Sequence, residues 1–186
     1  MLVVLVNALV VVGCSQISRP EQAQQGEQVA ADLFLHEHLQ SQSMVTTAEA
    51  YRAMVMLAEG RDEINSFAGR EEYLLANNII RPEWKLRRDQ VVDRGTVAYM
   101  VLKVLGLRGG VNFNIMGRLG IGDRRYALRE LIYRDVMANG PPYRFISGAE
   151  LVDVLGRADA VMAEEGRYPD EKTDVVESLT SRPAGK

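Results

Sequence analysis

The stretch VDRGTVAYMVLKVLG at positions 92–106 constrains the fold more than any other. Between Arg94 and Leu105 only Arg94, Thr96, Tyr99 and Lys103 carry polar groups. Val97, Ala98, Met100, Val101, Leu102, Val104 and Leu105 point nearly all round a helix with 3.6 residues per turn. A helix apolar on most faces has to be covered by other elements. Asp93 is placed to cap it, Val92 and Val97 occupy the positions of a hydrophobic staple, and Gly106 ends it. This chain is therefore expected to be all-α, with residues 92–106 at its centre.

The same start occurs twice more. Val45-Thr46-Thr47-Ala48-Glu49-Ala50 precedes the central stretch and Ile146-Ser147-Gly148-Ala149-Glu150-Leu151 follows it. Thr46 with Glu49, and Ser147 with Glu150, have the spacing of a capping box. Val45 and Ala50, and Ile146 and Leu151, repeat the staple. The copies lie roughly 50 residues apart, a spacing that signals helical repeats. The first start predicts a helix that reaches about Glu59 and stops at Gly60. The third predicts one carrying Leu151, Val154, Leu155, Ala158, Val161 and Met162 on an apolar face.

Between the starts, a helix is expected over 70–77 after a loop from Gly60 to Gly69. An ordered loop then packs Ile79, Ile80, Trp84 and Leu86, because Pro82 forbids a helix interior. Val111, Phe113 and Ile115 alternate with polar residues and read as the one short β segment. Asp123 is expected to cap a helix over 124–138 whose Leu128, Leu131, Ile132 and Val136 face the core. A short amphipathic helix is expected from about Glu27 to Leu39, with His36 and His38 on different faces and in solvent.

A helix, a loop, a second short helix ending in an isoleucine-rich turn, an extended segment and a new capped start resemble the S-layer homology (SLH) domains. That family heads each repeat with a start of the type Ile-Thr-Arg-Ala-Glu. Val45-Thr46-Thr47-Ala48-Glu49 keeps all but the arginine, Val92-Asp93-Arg94-Gly95-Thr96 keeps the arginine, and Ile146-Ser147-Gly148-Ala149-Glu150 lacks it. The resemblance spans 45–162. It implies divergent helical repeats with long ordered loops, arranged as a pseudo-trimer whose grooves hold cell-wall polysaccharide, with Arg94 at the family's groove position.

At the other end, residues 1–12 are apolar apart from Asn7, and Cys14, the only cysteine, follows Gly13. About a dozen apolar residues are too few to span a bilayer, which needs about 20, but suit the core of an export signal. Val11-Val12-Gly13-Cys14 resembles the lipobox of bacterial lipoproteins, which implies acylation of Cys14, palmitate among the chains, and a lipid anchor on a bacterial cell membrane or outer membrane. A single cysteine excludes an internal disulfide. The domain plan is a signal peptide over 1–13, a flexible Gln- and Ser-rich tether over 14–28, a short helix and linker over 29–44, the helical domain over 45–163 and a disordered polar tail over 164–186.

The formal charge of −3 gives no general attraction to nucleic acid, and no nucleic-acid partner is expected. Arg94 is a candidate for an anionic sugar substituent, against a plain salt bridge to Asp89 or Asp93. Trp84 offers a stacking face for a sugar, against a half-buried core anchor. Tyr126 is the third candidate for such a groove. Arg124, Arg125, Arg129 and Arg134 form a basic cluster that suits a solvated face, an anionic wall polymer or headgroups. The glycines at 117, 120 and 122 lack the Lys-Ser/Thr of a phosphate loop. No triad, metal motif or cofactor box is present, so the expectation is no enzyme, no metal and no cofactor. The function expected is a lipid-anchored, non-catalytic envelope protein that binds wall polysaccharide or an envelope partner. The alternatives are a scaffold acting through protein contacts and an envelope enzyme with an unrecognised carboxylate pair.

Overall fold

The computed structural model describes residues 33–107 and 122–167. The expected signal peptide, Cys14, the expected tether, the alternating segment at 111–115, the glycines at 117 and 120, and the chain from 168 lie outside the described residues. Those described are all-α, with two isolated β-bridges and no strand among them.

The described residues form five α-helices: α1 Thr47–Glu59, α2 Phe67–Ala76, α3 Arg94–Val104, α4 Asp123–Tyr133 and α5 Gly148–Glu164. α3 is the most buried, with every residue from Arg94 to Leu102 covered. α1 packs on α3 and α5, while α2 pairs with α1 and α4 with α3. The staple residues Val45, Ala50, Val92, Val97, Ile146 and Leu151 all join one core.

The three starts meet. The Val45 N–H donates to the Ile146 carbonyl at 3.0 Å, the Ile146 N–H to Val92 at 3.2 Å, and the Val92 N–H back to Val45 at 3.0 Å. This closed ring treats the three starts alike. Each helix also gives its first free N–H groups, which have no partner within the helix, to the segment leading into another start. Thr47 and Ala48 donate to Gln90 and Arg88, Arg94 and Gly95 donate to Arg144 and Pro142, and Gly148 donates to Gln42.

Four boundaries differ from expectation. α2 begins at Phe67 rather than at 70, because Ser66 Oγ accepts from the Gly69 N–H at 3.0 Å. Gly69 thus sits inside the helix, where a Cβ would come 2.8 Å from Ile64 Cγ2. α4 includes Asp123 and stops at Tyr133, short of 138, since Asp135 takes a left-handed φ of 57°. That turn sends Val136 and Met137 into the core. The segment placed outside the domain at 29–44 belongs to it from Leu33 onward. It forms a π-helix, Leu33–Leu39, which buries Phe34 and Leu39 and packs on α5 as α2 packs on α1. Finally, the chain past Glu164 is in use as far as Arg167, whose guanidinium donates to the Val104 and Leu105 carbonyls at the end of α3.

Candidate functional site

Arg94 opens α3 and is fully buried. Its Nε donates to Glu150 Oε1 at 2.6 Å and its Nη2 to the Ala138 carbonyl. The expected partners are otherwise engaged or distant: Asp93 caps α3 by accepting from the Thr96 N–H at 2.7 Å, and Asp89 is exposed beside Arg87. Glu150 also accepts from Arg144 Nη2 at 2.6 Å. This changes the third start. Ser147 Oγ accepts from the Glu150 N–H at 3.3 Å, but the Glu150 carboxylate turns to the two arginines instead of returning to Ser147. At the first start both halves of the box are present, and Glu49 additionally accepts from His38 Nε2 at 2.8 Å. His38 is therefore engaged, not merely solvated.

Trp84 is half-buried, as the core-anchor alternative has it. It meets Tyr99 edge-on at 5.0 Å and carries the Arg124 guanidinium 4.5 Å above its ring. Arg81 joins the same cluster, donating to the Tyr99 hydroxyl at 3.1 Å and pairing with Asp123 at 2.9 Å. Burial pushes the Tyr99 phenol above its ordinary pKa although the Arg81 hydrogen bond opposes it. Tyr126 lies against Gly122, near the turn into α4. Arg94, Trp84 and Tyr126 line neither of two clefts that the described residues form.

The larger cleft, about 670 Å³, lies between the π-helix, α1 and α2. Its charges are largely committed to one another. Arg70 donates to Asp62 at 2.7 Å, Arg52 pairs with the same carboxylate at 3.3 Å and covers the Phe34 ring at 4.1 Å, and His38 is held by Glu49.

The smaller groove, about 310 Å³, has the better chemistry. α4 supplies Arg125, Leu128, Arg129 and Ile132 to one wall, and residues 139–143 supply the other, ending in Tyr143. The structure divides the arginine cluster. Arg124 is drawn to Asp93 and Trp84, and Arg134 pairs with Glu130 at 2.9 Å. Arg125 and Arg129 have no ion pair or hydrogen bond among the described residues. They stand at i and i+4, on one face of the helix. Two free guanidinium groups over an apolar floor, with an exposed phenol ring opposite, can hold anionic groups and stack a ring. Gly140 in the far wall rests on the buried Arg94, so the arginine singled out by the sequence adjoins this groove from behind.

The sequence identifies the basic cluster but not which members are free. Asp93 belongs to another start, and only the packing of α4 on α3 brings it to Arg124. Among the described residues, no group of three or more His, Cys, Asp or Glu side chains is placed to hold a metal, and no helix is long and apolar enough to cross a membrane. Of the covered carboxylates, Asp62, Asp123 and Glu150 are each paired with arginine, and Glu49 is held by Thr46 and His38. Comparison of this chain with protein-family models, curated proteins and solved structures found no match.

Proposed function

We propose that this chain is a non-catalytic protein of a bacterial cell envelope, attached through an acylated Cys14, whose helical domain binds an anionic wall polysaccharide in the groove beside α4. The observation that carries the reading is that Arg125 and Arg129, without a side-chain partner among the described residues, face Tyr143 across an apolar floor. The pairing of the covered carboxylates supports a binding role over glycoside hydrolysis by a covered carboxyl pair, in which one group must be free to give or take a proton. The resemblance of the three starts to SLH repeats supports the choice of wall polymer, and the lipobox-like residues support the anchor.

Co-sedimentation with purified wall polymer tests the ligand. Replacing Arg125 and Arg129 together by Gln is expected to abolish pelleting while the helical circular dichroism stays as in the wild type. Equal pelleting of the double variant would remove the groove from consideration. For the anchor, Cys14→Ser is expected to move the protein out of the membrane fraction, and its recovery in membranes would count against lipidation.

A further inference from the structure

We infer that Arg94 is a positioning residue for the α4 groove, a brace that sets the far wall from behind and never touches the ligand. The inference rests on that groove being the polymer site. The first turn of α3 holds the wall at successive points. Arg94 Nη2 donates to the Ala138 carbonyl, the Arg94 N–H donates to Arg144 at 2.9 Å, and the Gly95 N–H donates to Pro142 at 2.8 Å. Gly140 lies between these points, directly on the guanidinium. A Cβ there would overlap Arg94 Nη1 and lie 3.2 Å from Cζ, so the wall sits as close as a missing side chain allows. Glu150 fixes the guanidinium from the other side and holds Arg144 as well.

Two consequences follow. Arg94 has no exposed surface, so a polymer in the groove meets Arg125, Arg129 and Tyr143 instead. The spacing between those groups depends on how deep the Arg94 fork sits, because Tyr143 belongs to the braced wall and the two arginines to α4. Lysine cannot replace the fork: one ammonium on a flexible stem lacks the planar donor set that reaches Glu150 and Ala138 together. Releasing the wall separates the ring from the guanidinium pair without removing either.

The test uses the full chain in detergent and polygalacturonate as the anionic probe. Arg94→Lys is expected to weaken binding about tenfold, the lower end of the loss seen when a residue that orients a metal ligand from behind is replaced. Its salt dependence should equal that of the wild type, because no cation that meets the polymer is lost, whereas Arg125→Gln should weaken binding and flatten the salt dependence together. Hydrogen exchange at 138–144 should rise in Arg94→Lys while α1 stays protected. Wild-type affinity in a folded Arg94→Lys overturns the role, and so does a salt dependence flattened as in Arg125→Gln, which would mean direct contact. If Arg94→Lys does not fold, Gly140→Ala and Glu150→Gln decide, since one wedges the wall and the other loosens the brace. Wild-type affinity in both overturns the inference. Absence of wild-type binding, or unchanged binding in Arg125→Gln and Arg129→Gln, overturns the groove reading itself and this role with it.

Discussion

Replacing Gly148 by Ala tests how far the N-terminal segment is part of the fold. The Cβ of an alanine at this position would overlap the Leu39 carbonyl oxygen and lie 2.7 Å from its carbon and 3.2 Å from the Gln42 oxygen. All three are backbone atoms, so no side chain can rotate away. α5 or the crossing segment has to shift, and the π-helix, a single short element, is the weaker of the two. If it lifts off, the burial of Phe34 and Leu39 is lost, about 1.5–3 kcal/mol for each. The Gly148–Gln42 hydrogen bond adds about 1 kcal/mol. Freed chain entropy offsets part of this, which leaves about 3 kcal/mol or more of a total near 5–15 kcal/mol. Gly156 on the same helix is the control, because nothing lies within 4 Å of its added Cβ. There alanine should stabilise by about 0.5–1 kcal/mol, through helix propensity alone. Urea unfolding of both variants, with hydrogen exchange at Leu39, reads the difference. A Gly148→Ala protein that unfolds at the wild-type urea midpoint with Leu39 still protected would refute the docking argument.

Glu150→Ala leaves the guanidinium of Arg94 buried without its carboxylate and should cost about 3–5 kcal/mol, measured by urea unfolding. A loss below about 1 kcal/mol would mean that the pair is no more than a surface contact. Tyr51 is pushed up to about 12 by burial, with Glu71 adding to it, and Tyr73 also to about 12 by burial and by its hydrogen bond to Glu59. The unfolded chain gives up these protons near pH 10, so their contribution is whole below that pH and is lost as pH rises towards 12. In an absorbance titration of the seven tyrosines, Tyr51, Tyr73 and Tyr99 should ionise above the ordinary tyrosine range, with stability falling over the same range. Ionisation of all seven near pH 10 would contradict the burial.

What the sequence makes legible is what is local. Caps and staples act within a turn or two of chain, so Thr46, Asp93 and Ser147 are recognisable as helix starts, and the core role of residues 92–102 follows from composition at helical spacing. Boundaries set by a backbone angle are not legible. Asp135 ends α4 by turning left-handed, although Val136 and Met137 continue an apolar pattern that reads as helix. Pairings across the fold are equally hidden: nothing near Arg94 in sequence points to Glu150, and the nearer Asp89 and Asp93 are the wrong answer. Leu39 is fully buried because of Gly148, a residue more than 100 positions away whose missing side chain gives no apolar signal.

That last case explains why the three starts diverge at one position in particular. The ring at Val45, Val92 and Ile146 is made by backbone groups, so any residue with an N–H and a carbonyl can sustain it, and side chains there need only be apolar. The next residue but one, the first of each helix, lies beneath a crossing segment, and each differs according to what crosses. Thr47 meets the Gln90 carbonyl and donates its hydroxyl to it at 2.9 Å. Arg94 lies beneath the 138–144 wall and sends its guanidinium to Ala138 and Glu150. Gly148 has the Leu39 carbonyl where a side chain would be, and has none. Exchanging these residues between starts should fail in a graded way. Threonine at 148 carries the same Cβ overlap as alanine and more bulk. Threonine at 94 leaves Glu150 and Ala138 without their donor and a space behind the groove wall. A set of helix starts that looks degenerate at this position is thus three solutions to three local contacts, held in common register by hydrogen bonds that do not depend on side-chain identity.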